Sequence, residues 1–292
     1  MIRILAVLLT LIATTAAAQF QPPTSIKTTE VVPGIYMVEG VDGFAGGNMS
    51  LLVGDDYVAM IDDGIEPVAP LLLEHVTETA GRPINFMINT HIHGDHVGGN
   101  AHFAENGTVV FAHDNIRKRL LEDSKDAGGD GGLPVVTFAE GVTFHLNGLD
   151  AKVFHVPRAH TDGDAVIHFP DVNVIHAGDI MFHKLFPYID LDSGGTVSGY
   201  IAAQQKLISM ADDATKVIPG HGGLATKADL QRDLMALTDS QARVKLLVDQ
   251  GKTVDEILQE NPLSVYHDEY NWSFITTEIM TRTLYRSLTE GE

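Results

Sequence analysis

Residues 90–96 read Thr90-His91-Ile92-His93-Gly94-Asp95-His96 and follow directly on the apolar run Ile84 to Ile88 and Asn89. A buried strand that ends here and turns through Gly94 aims several side chains at one point. Three imidazoles and a carboxylate at such short spacing offer ligands to two divalent ions. His91 and His93 can share one ion while Asp95 and His96 turn toward a neighbour. One tetrahedral ion cannot use all four without strain. The alternative, a polar turn that happens to be rich in histidine, is disfavoured because unpaired buried imidazoles are costly.

Three further positions outside this stretch have the same character. His160 stands in Val156-Pro157-Arg158-Ala159-His160 after a predicted strand Lys152 to Val156. Asp179 stands in His176-Ala177-Gly178-Asp179 after a predicted strand Val172 to Ile175, and His221 in Ile218-Pro219-Gly220-His221 after Lys216 to Ile218. Glycine or proline beside the last two predicts tight turns at strand ends.

With these residues in hand, the chain resembles the metallo-β-lactamase superfamily, in which an HxHxDH segment is followed in order by an isolated His, an Asp and a final His. The resemblance runs over nearly all of the chain beyond its leader. It implies an α+β fold, the αββα four-layer sandwich, as a single catalytic domain over residues 19–292. It also implies a binuclear centre with His91, His93 and His160 on one ion, Asp95, His96 and His221 on the other, and Asp179 bridging them. Two Zn²⁺ ions suit the nitrogen-rich shells, and the bridging carboxylate also tolerates Fe or Mn. The implied activity is hydrolysis by a metal-activated water, with Asp95 as the catalytic residue that orients the water and passes a proton to the leaving group. His176, Thr161 and Asp162 are near enough in sequence to orient the ligands. Many class B β-lactamases carry a Cys ligand with a Lys three residues later; here those positions are Asp179 and Phe182. The complete bridging Asp is instead similar to lactonases, glyoxalase-II-like thioesterases and phosphodiesterases of the superfamily.

The rest of the chain reads as two series of strands with helices added. Val31 to Val38, Met49 to Val53 and Tyr57 to Ile61 are predicted strands, and Glu66 to Thr79 a helix with Pro67 in its first turn. Val135 to Phe138, Val142 to Leu146 and Ala165 to Phe169 continue the strand pattern. Val197 to Met210, 223–250 and 273–288 read as helices. Gly128 to Gly132 reads as a mobile surface loop. Two strand sets with interspersed helices predict sheets packed on each other and covered by helices.

Composition narrows the function classes. The 292 residues carry 19 Lys+Arg against 39 Asp+Glu, a formal charge of -20, which repels nucleic-acid backbones and anionic lipid headgroups. With zero cysteines there is no disulfide, thiolate nucleophile or iron–sulfur cluster, so a metal must be held by imidazole and carboxylate. No G-x-S-x-G elbow is present, which argues against a serine triad. Residues 1–18, with Arg3, an apolar run and Ala16-Ala17-Ala18, read as a signal peptide and predict a periplasmic or secreted protein. The apolar run is too short to span a bilayer.

Substrate is predicted to be a small molecule. Glu39 to Ser50 lies in the first hairpin, where glycines on both sides of Phe44 predict a flap over the site. Lys184 is predicted to pair with a substrate carboxylate and Tyr188 to steady an oxyanion. Trp272, Tyr266, Tyr270 and Phe274 read as core or interface packing. Together these favour an exported, promiscuous β-lactamase-like enzyme opening amide or ester rings. A lactonase, thioesterase or phosphodiesterase is the alternative. A metal-binding scaffold without activity is the non-enzyme alternative, and its mark would be a missing ligand; none is missing.

Overall fold

The computed structural model describes residues 21–291, so the predicted signal peptide lies outside the described residues. The first sheet has the order β1 (Ser25–Val32), β2 (Ile35–Val41), β3 (Met49–Val53), β4 (Val58–Ile61), β5 (Phe86–Ile88), β6 (Val109–His113) and β7 (Val136–Phe138). Its first four strands form an antiparallel meander, and β4 to β7 pair in parallel. Parallel neighbours need crossovers, supplied by α1 (Ala69–Ala80), by α2 (Gly94–Val97) with α3 (Asn100–Glu105), and by α4 (Asp114–Glu122). The second sheet contains β8 (Gly141–Leu146), β9 (Leu149–His155), β10 (Ala165–Phe169), β11 (Val174–Phe182), β12 (Lys216–His221) and β13 (Ala225–Thr226) in spatial order from one edge to the other. Here α5 (Val197–Met210) connects the parallel pair β11 and β12. The chain ends with α6 (Lys227–Val248), α7 (Val254–Glu260), α8 (His267–Tyr270) and α9 (Thr277–Glu290).

Alternation of side chains along the strands builds the layers. Ala59 and Ile61 of β4 point into a core shared with Phe144, Val153, Ile167 and Ile218 of the second sheet. Val58 and Met60 point the other way, against Leu72 and Val76 of α1 and Phe103 of α3. On the far side, Val166, Ile175 and Val217 meet Ala203 and Leu207 of α5 and Leu230 of α6. Helices, sheet, sheet and helices are thus stacked in four layers, the predicted α+β sandwich. A further apolar cluster, including Tyr200, Leu237, Val244, Met280 and Leu284, binds α5, α6 and α9 together.

Several boundaries differ from the sequence reading. The run Val31 to Val38 is not one strand: it breaks at Pro33-Gly34, where Val32 pairs with Ile35, and β1 begins back at Ser25. Strand β6 and helices α2 to α4 were not predicted, because residues 94–122 mix polar and apolar positions without a clean period. The Gly128 to Gly132 stretch is tied down by bonds from Gly129 N–H to Ser124 O (2.9 Å) and Gly132 N–H to Gly129 O (2.9 Å), with Ala127 buried beneath it. Strand β11 runs on to Phe182, so Asp179 lies within it, and its pairing with β12 shifts register between His176 and Gly178. Such an irregularity re-aims a side chain within a strand. Helix α9 starts at Thr277, capped by the Thr276 hydroxyl, which leaves residues 271–276 as a loop. Among the described residues, no helix is long and apolar enough to cross a membrane.

Candidate metal centre

The His91 to His96 segment leaves β5 and enters the single turn of α2, and one buried carboxylate fixes its course. Asp62, at the end of β4, accepts from the Thr90 backbone N–H and from the Thr90 hydroxyl, both at 2.7 Å. It also accepts from His96 Nδ1 at 2.7 Å. Because the Thr90 hydroxyl donates to Asp62, it accepts from His91 Nδ1–H at 2.9 Å. His91 and His96 therefore both turn Nε2 toward the interior, where burial keeps His91 neutral while Asp179, Asp95 and Asp62 hold His96 well above its usual range.

The other imidazoles are oriented in the same way. His160 Nδ1–H donates to the Tyr188 carbonyl at 2.7 Å, and His93 Nε2–H to Asp190 at 3.0 Å. That leaves His160 Nε2 and His93 Nδ1 facing each other at 2.8 Å. Ligands about 2.0 Å from a tetrahedral zinc ion are separated by about 3.3 Å, close to this spacing. Asp179 supplies the common carboxylate. Its Oδ2 lies 3.7 Å from His91 Nε2, 3.4 Å from His160 Nε2 and 3.5 Å from His221 Nε2, and its Oδ1 lies 3.1 Å from His96 Nε2. Asp95 completes the second group, 3.6 Å from His96 Nε2 and 3.3 Å from His221 Nε2. All seven predicted ligands thus converge in three overlapping groups: His91, His93, His160 and Asp179; His91, Asp95 and His96; and His96, Asp179 and His221.

Electrostatics favour cations here. Burial drives the His160 imidazole down to about 3 and His91 well below its usual range, so both are neutral and free to ligate. Burial opposes a charge on His221 too, yet Asp179 and Asp95 outweigh it and raise it to about 9. Asp95, despite burial, is held at about 2 by His96 and His221. The carboxylates draw positive charge into the site, and divalent ions can supply it in place of protons. Backbone room is also reserved. A Cβ on Gly47 would lie 2.3 Å from His96 Nε2, and one on Gly220 would lie 1.9 Å from Asp179 Oδ1. Inward-facing ring nitrogens, clustered carboxylates and side-chain-free backbone all fit a pair of metal ions.

The remaining predicted positions fare differently. Thr161 bonds to Asp164 at 2.8 and 2.5 Å, Asp162 forms an ion pair with Arg119 at 2.8 Å, and His176 accepts from Gly178 N–H at 3.2 Å. None of these three touches an outward nitrogen of a predicted ligand; Asp62, Thr90, Asp190 and the Tyr188 carbonyl do so instead. Phe44 and Tyr188 line a cavity of about 600 Å³ that opens over the centre, together with Phe182, Trp272 and Phe274. Trp272 and Phe274 are therefore cavity wall rather than only core. Lys184 is not on this wall: it is exposed on the turn after β11, its backbone N–H bonded to Asp233 at 3.3 Å. The base of the predicted flap is tied to the site. Gly47 N–H donates to Asp95 O (3.0 Å), Asn48 N–H to Gly220 O (2.6 Å), and the Asn48 amide to Pro219 O (2.9 Å) and Gly222 O (2.7 Å).

Comparison with known proteins agrees with this geometry. Residues 42–221 match the family model described as the metallo-beta-lactamase superfamily. A metallo-beta-lactamase type 2 of Bacteroides fragilis is 22% identical over 183 residues, covering 62% of this chain and 70% of that protein. A hydroxyacylglutathione hydrolase of Pelagibacter ubique is 26% identical over 61% of this chain and 66% of its own length. Among solved structures, a metallo-beta-lactamase from Pontibacter korlensis superposes with a TM-score of 0.63 at 21% identity, covering 74% of this chain and 100% of that one. The matched segment contains all seven converging side chains. The chain belongs to the metallo-β-lactamase superfamily.

Proposed function

We propose that this protein is an exported hydrolase that works with two metal ions, zinc by the chemistry of its ligands, and cleaves an ester, thioester or amide bond. The observation that carries the reading is the set of four inward-facing ring nitrogens, on His91, His93, His96 and His160, gathered around Asp179. His91, His93 and His160 would hold one ion, Asp95, His96 and His221 the other, and Asp179 both. Bound there, the ions supply Lewis acidity and lower the pKa of a coordinated water, so that no protein nucleophile is required.

The chain's own residues orient and exclude. Asp190 holds the His93 ring, Asp62 holds His96, and the Tyr188 carbonyl holds His160, which fixes tautomers before substrate arrives. Asp95, with 23% of its side chain exposed, is open to the cavity and placed to accept a proton and deliver it to a leaving group. Burial, the charges of Asp190 and Asp192 and a hydrogen bond to Asp190 push the Tyr188 hydroxyl up to about 12, so it keeps its proton. Since Lys184 stands off the wall, a β-lactam carboxylate has no cationic partner there. That favours a lactonase or thioesterase over the β-lactamase-like reading. The test is elemental analysis of the purified protein with a hydrolysis panel of a β-lactam, an acyl lactone, a thioester and a phosphodiester. Two ions per chain and turnover lost on chelation are expected; a metal-free protein with no turnover would overturn the proposal.

A further inference from the structure

The cavity wall facing the imidazoles is aromatic, and much of it comes from outside the family match. Trp272 and Phe274 lie in the loop between α8 and α9, beyond residues 42–221. The Trp272 ring is 6.0 Å from His221 and 5.6 Å from Phe274; Phe274 is 5.4 Å from Tyr188, and Tyr188 is 5.4 Å from His93. A continuous run of rings thus joins a proposed ligand of one ion to a proposed ligand of the other. The loop is held in place. Trp272 Nε1–H donates to Phe186 O at 3.0 Å, and Asn271 Oδ1 accepts from Thr277 N–H at 2.9 Å. With its N–H satisfied by backbone, Trp272 offers the cavity only its apolar ring. At the mouth, Phe44 and Phe274 remain 44% and 55% exposed, apolar surface that a ligand would gain by covering.

Charge points the same way. The ionisable lining consists of His93, Asp95, Asp179, Asp190 and His221, with no Lys or Arg among the lining residues. Neighbouring guanidinium groups are engaged elsewhere, Arg286 by Asp192 at 2.5 Å and Arg119 by Asp162 at 2.8 Å. A substrate carboxylate placed away from the ions would meet rings, other carboxylates and the neutral Ser273, with no Lys or Arg to pair with it.

We infer, resting on the hydrolase reading above, that the group flanking the scissile bond is uncharged and apolar. It is seated on Trp272, Phe274 and Tyr188 with Phe44 across the mouth, and the loop 271–276 is the element that selects it. For an ester, water adds across the acyl C–O bond to give the acid and the alcohol, and the apolar acyl chain stays against the wall.

The test uses the purified, metal-loaded protein and three p-nitrophenyl esters: acetate, hexanoate, and the adipate half-ester, which matches hexanoate in length but ends in a carboxylate. Hexanoate should exceed both others in kcat/KM by about tenfold or more, as burial of several methylenes predicts. Phe274→Ala should lower hexanoate several-fold more than acetate, and Phe274→Lys should bring the adipate half-ester up toward hexanoate. An adipate half-ester hydrolysed as well as hexanoate, or a Phe274→Ala loss equal for all three esters, overturns the inference. If none of the three esters is cleaved, the subsite is judged by binding, because Trp272 is the single tryptophan of the chain. A saturable change in its fluorescence with methyl hexyl ketone, weakened in Phe274→Ala and absent with the analogue ending in a carboxylate, supports the apolar subsite. No saturable change, or the same change with both probes, ends it.

Discussion

Asp62 does more at this site than any residue outside the proposed ligands. Fully buried, it orients His96 directly and His91 through the Thr90 hydroxyl, and it fixes the turn that carries both. Asp62→Asn keeps the shape but cannot accept all of these bonds. Metal affinity is expected to fall by about 10- to 100-fold, read by competition with a chromophoric chelator. An unchanged affinity would show that packing alone orients the rings. Asp95 is expected to behave differently, since it faces both the second ion group and the cavity. Asp95→Asn should cost about 10²-fold or more in kcat if the carboxylate relays the proton, and near-normal turnover in steady-state assays would remove that role. Asp95 was legible in sequence because it sits inside the histidine cluster. Asp62 was not, since an acidic pair at a strand end, Asp62-Asp63, here 34 residues from His96, resembles any polar strand terminus.

Helices on the outer layers are specified locally, and α6 shows how. Thr226 and Asp229 form a reciprocal capping box, with Asp229 Oδ2 accepting from the Thr226 backbone N–H at 2.9 Å and from its hydroxyl at 2.7 Å. Burial opposes ionisation of Asp229, but the Thr226 bonds and the Arg232 ion pair outweigh it and lower the carboxyl from 3.8 to about 2. A depressed folded-state pKa stabilises the native protein above the unfolded value, and that contribution is lost as pH falls. Asp229→Ala should therefore cost about 1 kcal/mol at pH 7 by urea denaturation. The gap between variant and parent should shrink as pH falls from about 4 toward about 2. A gap independent of pH would mean that the carboxylate charge contributes nothing to the cap. Elements of this kind were readable from short-range pattern. The helix predicted from 273 was instead a loop up to Thr276, because the cap and the Asn271 bond to Thr277 set its start.

For the whole molecule, the four layers are held together by apolar contacts. The apolar clusters between the sheets and beneath both helix layers contain none of the seven proposed ligands. Removing metal with a chelator is expected to leave far-UV circular dichroism unchanged while lowering Tm, since ions that bind only the folded chain add about 4 kcal/mol at a thousandfold excess over Kd. Collapse of the secondary structure on chelation would show that the centre, and not the sandwich, holds the fold.

The seven converging side chains, their order along the chain and the two-sheet architecture were legible in the sequence, because a dense run of imidazoles and carboxylates stands out and strands announce themselves by period. Only the tertiary structure decided what surrounds them. Asp190 reaches His93 across 97 residues, and Trp272 reaches His221 from a loop beyond β12 and α6. A hydrogen-bond acceptor or an aromatic wall can come from anywhere in the chain that packing brings near. Such contacts leave no spacing rule behind, and the substrate end of the site was legible only at Phe44 and Tyr188 until the layers were assembled.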